Sequence, residues 1–175
     1  MAAARVFIGV GSNIAPEANI PLALERLAKS LSLRAVSTFY RTAPVGPAGQ
    51  PPFVNGVVEA LSELPPRKLK FHVLRPIEAS LGRRRSGADK YAPRTIDLDL
   101  LLYGDAVLSQ RGLTLPDPDI RERPFLAAGL LELEPGLVLP DGTPLRPAPG
   151  AAMEPLADFS RLLKERWTTR ESKTR

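Results

Sequence analysis

The sequence contains no cysteine, and this absence excludes several classes of site at once. Without thiols the chain cannot form disulfides, bind a metal through thiolates or use a cysteine nucleophile. The absence is compatible with a reducing compartment. Histidine is almost as scarce, because the single residue is His72, in the middle of a predicted helix, where we assign it a structural role. The candidate site residues are accordingly carboxylates, arginines, an amide and aromatic rings.

The sequence does not begin with a hydrophobic segment long enough to cross a membrane. Residues 1–10 contain a short apolar run that leads directly into Gly11-Ser12-Asn13. A membrane-spanning helix needs about 20 apolar residues, and a secretory signal ends in a small-residue cleavage site that is not found here. We interpret this segment as the first strand of a cytoplasmic protein.

Positive charge is in excess but unevenly distributed. The net charge is +5, whereas residues 83–94 and residues 161–175 each carry a net charge of about +4. The rest of the chain is therefore slightly acidic, which argues against a general nucleic-acid-binding surface. We predict one domain over residues 1–163, followed by a basic C-terminal tail over residues 164–175.

Hydrophobic periodicity predicts the order strand, helix, strand, strand, helix, strand. The strands are expected at residues 5–10, 33–40, 53–61 and 93–103, and the helices at residues 16–31 and 67–81. Pro76 is expected either to kink the second helix or to remove one of its hydrogen bonds. Further helices are expected at residues 124–133 and 155–167. This order is typical of the ferredoxin-like α+β fold, an antiparallel sheet with helices on one face. The proline-rich segment 42–52 and the basic segment 82–91 are predicted to be long active-site loops.

The fourth predicted strand carries a pair of carboxylates. Its apolar face is formed at period two by Ile96, Leu98, Leu100 and Leu102. Asp97 and Asp99 then share the opposite face, with Cα atoms about 6–7 Å apart. Like charges this close raise each other's pKa unless a cation lies between them, and Mg²⁺ is the natural candidate. One alternative is a half-exposed strand with an ordinary polar face.

Two further features of the sequence accompany the acidic pair. Arginines are concentrated at positions 83, 84, 85 and 94, and the proline loop leads into Phe53 and Asn55. Guanidinium groups bind phosphate, an aromatic ring stacks on a planar heterocycle, and an amide offers both a donor and an acceptor. Together these features indicate phosphoryl or pyrophosphoryl transfer to a heterocyclic substrate. The glycine-rich loops of P-loop enzymes and protein kinases are both absent.

The chain resembles the 6-hydroxymethyl-7,8-dihydropterin pyrophosphokinase family of folate biosynthesis. The resemblance covers about residues 6–163 and rests on Gly11-Ser12-Asn13, residues 39–46, residues 50–55, Glu78 with Leu81-Gly82-Arg83, residues 93–99, Arg123-Pro124-Phe125 and Pro140-Asp141-Gly142. It implies a ferredoxin-like fold and transfer of the pyrophosphoryl group of ATP to the pterin hydroxymethyl oxygen, with release of AMP. It also implies small-molecule substrates only, with no nucleic acid or membrane partner, and a monomer, with a dimer as the alternative.

The resemblance also assigns residues to roles. It implies that Asp97 and Asp99 hold two Mg²⁺ ions. The implied pterin-binding residues are Thr42, Pro44, Val45, Phe53, Asn55 and Phe125. The implied catalytic arginines are Arg83, Arg85 and Arg94, and the implied nucleotide-binding residues are Glu78, Arg94, Ile96 and Arg123. The general base is left open between a metal-activated hydroxyl and a water-mediated transfer to Asp97.

The chain departs from the family pattern at Asp117 and Arg75. Asp117 stands where the family usually has a histidine that contacts the nucleotide; an aspartate would repel a phosphate there, so the contact is either absent or made to the base or ribose. Arg75 stands where glutamine is common, as either an added phosphate contact or a surface charge. Two other functions remain as alternatives, a ferredoxin-like nucleic-acid-binding module and a non-catalytic regulatory domain that binds a small molecule.

Overall fold

The described residues form one antiparallel sheet and a small separate hairpin. The computed structural model describes residues 2–44, 46, 48–84, 92–150 and 152–168. The strands are β1 (Ala4–Ser12), β2 (Ser32–Val36), β3 (Tyr40–Thr42), β4 (Phe53–Ser62), β5 (Asp97–Tyr103), β6 (Leu108–Gln110), β7 (Leu113–Leu115) and β8 (Met153–Pro155). The main sheet has the order β5-β1-β4-β3-β8, with β2 also pairing with β4, and β6 pairs with β7. The α+β, ferredoxin-like fold class is confirmed.

The helices pack on the two faces of this sheet. They are α1 (Pro16–Leu27), α2 (Pro66–Lys68, Leu69–Leu74 and Arg75–Ser80), α3 (Asp119–Glu122), α4 (Pro124–Leu133) and α5 (Ala157–Trp167). The predicted layer on one face consists of α1, α2 and α5, which bury residues such as Leu24, Leu74 and Leu163. The structure adds a second layer, because Leu126 and Leu130 of α4 pack against Phe7 on the opposite face. Among the described residues, no helix is long and apolar enough to cross a membrane.

Helix α2 changes its helix type just before Pro76. The segment Leu69–Leu74 is a π-helix, in which the Arg75 N–H donates to the carbonyl oxygen of Lys70. One inserted residue shifts the hydrogen-bond ladder just before the proline, which has no N–H of its own to contribute. Leu69, Val73 and Ile77 still form the predicted buried stripe.

The predicted strand over residues 33–40 is divided into β2 and β3. Between them, the Ser37 hydroxyl accepts the Val57 N–H at 2.8 Å, and the Phe39 N–H donates to the Ser160 hydroxyl at 2.8 Å. Side chains therefore satisfy these backbone groups where the ladder is interrupted. The predicted turn at Gly11-Ser12-Asn13 begins only at Asn13, because Gly11 and Ser12 still belong to β1.

Strand β5 contains a β-bulge that corrects the predicted alternation. Ile8 of β1 lies opposite Leu100, whereas the preceding Phe7 lies opposite Leu102, so Leu101 is the extra residue. Leu98 and Leu100 face the core under α1 and α2 as predicted. Leu102 lies on the opposite face with Phe7, contrary to the prediction, since a bulge reverses the alternation beyond it.

Two smaller elements complete the fold. Strands β6 and β7 form a hairpin, and residues 138 and 144 form an isolated bridge on either side of Asp141-Gly142. The boundary proposed between residues 163 and 164 falls inside α5. Most of the proposed tail, residues 169–175, lies outside the described residues.

Close packing between β4 and Phe39 gives the first testable prediction, for Gly56→Ala. A Cβ atom at Gly56 would lie 2.6 Å from ring atoms of Phe39, which is fully buried and makes an edge-to-face contact with Phe159. We expect the free energy of unfolding to fall by about 3 kcal/mol because the ring has no free space to enter. Urea unfolding monitored by circular dichroism measures this loss.

The control for this prediction is a second substitution that relieves the steric conflict. Phe39→Leu alone should be destabilising, but it should cost less in the Gly56→Ala background than in the wild type. Such a coupling identifies the contact between the two residues as the cause. Additive losses, or an unchanged stability of Gly56→Ala, would contradict the steric explanation.

Candidate active site

A cavity of about 270 Å³ opens on the sheet face covered by α4. Strands β1, β3, β4 and β5 form its floor, α2 contributes Lys70 and Arg75, and the region around the start of α4 contributes Arg123 and Phe125. The cavity is lined by five basic side chains but only three acidic ones, Asp97, Asp99 and Asp119. This balance favours an anionic ligand that arrives with a cation.

The acidic pair lies beside two glycines of the neighbouring strand. Asp97 pairs with Gly11 and Asp99 pairs with Gly9 in the ladder between β5 and β1. Both aspartates line the cavity, as the i, i+2 spacing predicted. The absence of side chains at these glycines is used by neighbouring residues, because Asn55 packs against Gly11 and Leu126 packs against Gly9.

Two arginines neutralise Asp97. The Arg83 guanidinium lies 2.7 Å from Asp97 Oδ1, and the Arg94 guanidinium lies 2.8 Å from Asp97 Oδ2. Arg83 also forms an ion pair with Glu78, whose side chain is only 1% exposed. Glu78 therefore lies behind Arg83 and holds it against the acidic pair, and it does not line the cavity.

Asp99 has a different environment. In the described part of the chain, no hydrogen bond or ion pair reaches its carboxylate. The side chain is exposed to solvent in the cavity, between Leu98 and Leu100, whose side chains are buried. Desolvation, followed by the charges of Asp97 and Asp117, raises the pKa of Asp99 to about 8. A carboxylate held in this way favours a bound cation.

The two aspartates fit a Mg²⁺ site whose remaining ligands come from water and substrate phosphates. Within the described residues, no group of three or more histidine, aspartate or glutamate side chains is placed to enclose a metal. Two carboxylates on one strand supply hard oxygen donors, and Mg²⁺ usually takes one or two carboxylates together with water and substrate phosphates. The residues present therefore fit a magnesium ion carried in with a polyphosphate.

The opposite side of the cavity can bind a planar polar ring. The Asn55 side-chain amide donates to the Thr42 hydroxyl at 2.9 Å, and both side chains line the cavity. Phe53, at the start of β4, and Phe125, in the first turn of α4, line the same cavity. The amide group and the two aromatic rings are thus available to one ligand.

The structure brings most of the predicted site residues together, with three exceptions among those it describes. The predicted residues that line the cavity are Thr42, Phe53, Asn55, Arg83, Arg94, Asp97, Asp99, Arg123 and Phe125. Glu78, Pro44 and Ile96 do not line it. The Ile96 side chain is fully buried in the core, so only its backbone can contact a ligand. Val45 and Arg85 lie outside the described residues.

The sequence interpretation assigned no role to two charged residues that line the cavity, Lys70 and Asp119. Lys70 lies on the same helix as Arg75 and Glu78, and this position in the sequence could have indicated that it lies near the cavity. Arg75 itself lines the cavity, so it is not merely a surface charge. Asp117 accepts the Asp119 N–H at 2.8 Å and does not line the cavity, and burial raises the pKa of its carboxyl.

Comparisons with known proteins show the family to which the chain is similar. Residues 7–135 match the sequence model of the 7,8-dihydro-6-hydroxymethylpterin-pyrophosphokinase family. A 2-amino-4-hydroxy-6-hydroxymethyldihydropteridine pyrophosphokinase of Pseudomonas aeruginosa is 42% identical, over 79% of this chain and 85% of the relative. The enzyme of the same name from Haemophilus influenzae is 37% identical, over 77% and 84%. A folate synthesis bifunctional protein of Arabidopsis thaliana is 37% identical over 74% of this chain and 27% of its own length.

Proposed function

The chain belongs to the 7,8-dihydro-6-hydroxymethylpterin-pyrophosphokinase family, and on this premise we propose that the cavity beside β5 is its active site. The family transfers the pyrophosphoryl group of ATP to hydroxymethyldihydropterin in folate biosynthesis, and the chain is an ATP-dependent pyrophosphokinase. The observation that carries the assignment of the site is the meeting of the Asp97/Asp99 pair, arginines, Asn55 and two phenylalanines in one cavity.

The proposed reaction is an in-line displacement at the β-phosphorus of ATP. The hydroxymethyl oxygen of the pterin forms a bond to this phosphorus, the bond to the oxygen bridging the α- and β-phosphates breaks, and AMP leaves. The hydroxymethyl proton is released to solvent or to a base that we leave unassigned. Negative charge moves onto the phosphate oxygens, and Arg83, Arg94 and Arg123 are the guanidinium groups placed to stabilise it.

We further propose that Asp97 and Asp99 hold two Mg²⁺ ions together with the phosphates of ATP. Bound Mg²⁺ would supply neutralisation of phosphate charge and orientation of the reacting groups. Asp99 presents an unpaired carboxylate to the cavity, whereas both oxygens of Asp97 are held by arginines. Asp97 would hold a metal through the lone pairs that the two arginines leave free, and the same arginines would be close to the phosphates of a bound nucleotide.

The pterin is proposed to lie between Phe53 and Phe125, with Asn55 and Thr42 at its polar edge. Stacking of a planar ring on aromatic side chains holds its plane, and the Asn55 amide reads donor and acceptor positions. Pro44 and Val45 follow Thr42 in the chain and belong to the same proposed edge. In this arrangement the hydroxymethyl group points toward the acidic pair, where the phosphates are held.

Measurement of AMP formation tests the proposal directly. We expect AMP release from ATP and Mg²⁺ that depends on 6-hydroxymethyl-7,8-dihydropterin, and removal of Mg²⁺ with a chelator should abolish it. The double variant Asp97→Ala/Asp99→Ala should lose this activity. Asp105→Ala, which removes an exposed carboxylate from the turn after β5, is the matched control and should remain active.

Three other outcomes of this assay would count against the proposal. Formation of ADP in place of AMP would mean transfer of the γ-phosphoryl group. Activity retained in the double variant would remove the acidic pair from the reaction. No nucleotide turnover by a folded protein would favour a binding domain without catalysis.

The proposal includes a cytoplasmic location and a monomeric enzyme. ATP and Mg²⁺ are abundant in the cytoplasm. Gel filtration with light scattering measures the oligomeric state, and a dimer at working concentration would correct this part of the proposal without affecting the site.

A further inference from the structure

Lys70 is a charged residue of the cavity to which the reaction as described assigns no role. It belongs to the π-helical segment of α2, and its half-buried side chain lines the cavity with Asp99 and Arg75. Its ammonium group donates to the carbonyl oxygen of Gly112 at 2.5 Å and lies 5.7 Å from the centre of the Phe71 ring. The charge is therefore fixed at one place in the cavity wall, since these contacts hold the end of a long side chain.

The charge of Lys70 has no carboxylate partner within ion-pair distance among the described residues, in contrast to neighbouring arginines. Arg83 and Arg94 both pair with Asp97, and Arg75 approaches Glu78 at 4.0 Å. Burial and the nearby charge of Arg75 lower the pKa of Lys70. A partly desolvated ammonium group beside another cation is unfavourable until an anion joins it.

We propose that Lys70 binds the phosphate chain of the nucleotide substrate. This inference rests on the proposed function and adds to it a contact from α2, the helix that also carries Glu78 behind Arg83. An ammonium group has three donors, and the bond to Gly112 leaves two for phosphate oxygens. The proposed pterin groups come from other elements, β3, β4 and α4, so the contact is specific to the nucleotide.

The competing explanation is that Lys70 only anchors the hairpin of β6 and β7. The hairpin has a second tether to the same helix, because the Arg67 guanidinium donates to the carbonyl oxygen of Arg111 at 3.0 Å. Loss of one tether alone should affect stability and all substrates alike. A phosphate contact should instead affect only ligands that carry phosphate.

The test compares Lys70→Met with Lys68→Met by calorimetric titration with α,β-methylene-ATP in the presence of Mg²⁺. Methionine keeps an apolar stem beside Phe71 and removes the charge, and Lys68 is an exposed lysine of the same helix. We expect Lys70→Met to weaken binding of the analogue roughly tenfold or more, as for loss of a charged hydrogen bond. Lys68→Met should bind as the wild type does, and Lys70→Arg should recover most of the affinity.

Two further measurements separate a phosphate contact from other roles. Adenosine affinity and the KM for the pterin should be unchanged in Lys70→Met. A parallel loss of adenosine affinity, a parallel rise in the pterin KM, or unchanged affinity for the analogue would each overturn the inference. The proposed function is tested separately, because wild-type AMP formation measures it without reference to Lys70.

Discussion

Asp99→Asn is expected to lower kcat about 10³-fold and at the same time to make the metal-free protein more stable at pH 8. The loss of activity follows because the carboxylate without a basic partner is the one best placed to hold Mg²⁺ against the phosphates. The gain in stability follows because ionised Asp99 is desolvated and repelled by Asp97 and Asp117 in the folded state. Steady-state AMP formation and thermal unfolding measure the two effects.

The raised pKa of Asp99 makes the free energy of unfolding depend on pH. The pKa of Asp99 rises from 3.8 to about 8 on folding, so between these values the native state binds a proton that the unfolded state does not. The free energy of unfolding therefore falls as pH increases from about 4 to about 8. Asparagine removes this loss, so the variant should exceed the wild type by about 1 kcal/mol at pH 8, a figure reduced for solvent screening of an accessible side chain.

The controls for Asp99→Asn use pH and metal. Well below the unfolded-state pKa of 3.8 both states of the wild type are protonated at this position, so the difference in melting temperature should vanish there. Added Mg²⁺ should raise the melting temperature of the wild type but not of the variant, because binding to the native state stabilises it. Asp105→Asn should change neither activity nor stability. A variant that is less stable than the wild type at pH 8 in chelator would refute this account of the pair.

The sequence predicted the polar face of β5 because residues two apart in a strand lie on the same face, which places Asp97 and Asp99 together. Once Asp97 and Asp99 share a face, the apolar residues Leu98 and Leu100 must face the core, and this is what the structure shows. The same rule failed at Leu102, since a bulge at Leu101 depends on the pairing with β1 and leaves no mark in the local pattern.

Residues separated in sequence were harder to place. Pro76 predicted a kink or a lost hydrogen bond, and the structure has a π-helical segment just before it, with Leu69 and Leu74 buried in the core. The position of Lys70 at the cavity depends on that turn and on a contact with Gly112 from a distant hairpin. Neither the π-turn nor the contact with Gly112 can be recognised from the local sequence. The arginines near Asp97 could be predicted, because they are numerous and close to it in the chain.

Gly11→Ala is expected to weaken pterin binding by about 10² while leaving the fold nearly as stable as in the wild type. A Cβ atom at Gly11 would lie 2.2 Å from Asn55 Oδ1, a distance that no real contact permits. The nearest backbone atom, the Val54 carbonyl oxygen, is 3.8 Å away, so the strand itself need not move. The Asn55 amide must rotate, and it then loses its bond to Thr42 and its place at the cavity.

The expected loss of affinity comes from polar groups left without partners. A pterin edge that no longer meets the Asn55 amide is buried with unsatisfied donors and acceptors, at a cost of about 1–3 kcal/mol for each group. Fluorescence titration with the pterin measures the affinity, and urea unfolding measures the stability. The KM for ATP should change little, because the arginines proposed to bind phosphate pair with Asp97 of β5 and not with Asn55.

A double-mutant cycle decides whether the effect of Gly11→Ala passes through Asn55. Asn55→Ala alone should weaken pterin binding to a similar extent. In the Asn55→Ala background, Gly11→Ala should then cost little, since the atom that its methyl group would meet has been removed. Full additivity would show that the methyl group blocks the pterin itself, and an unchanged affinity of Gly11→Ala would remove Asn55 from the proposed pterin site. The close approach of β1 to Asn55 would then explain only why glycine fits at position 11, and the polar edge of the ligand would have to be sought at Thr42.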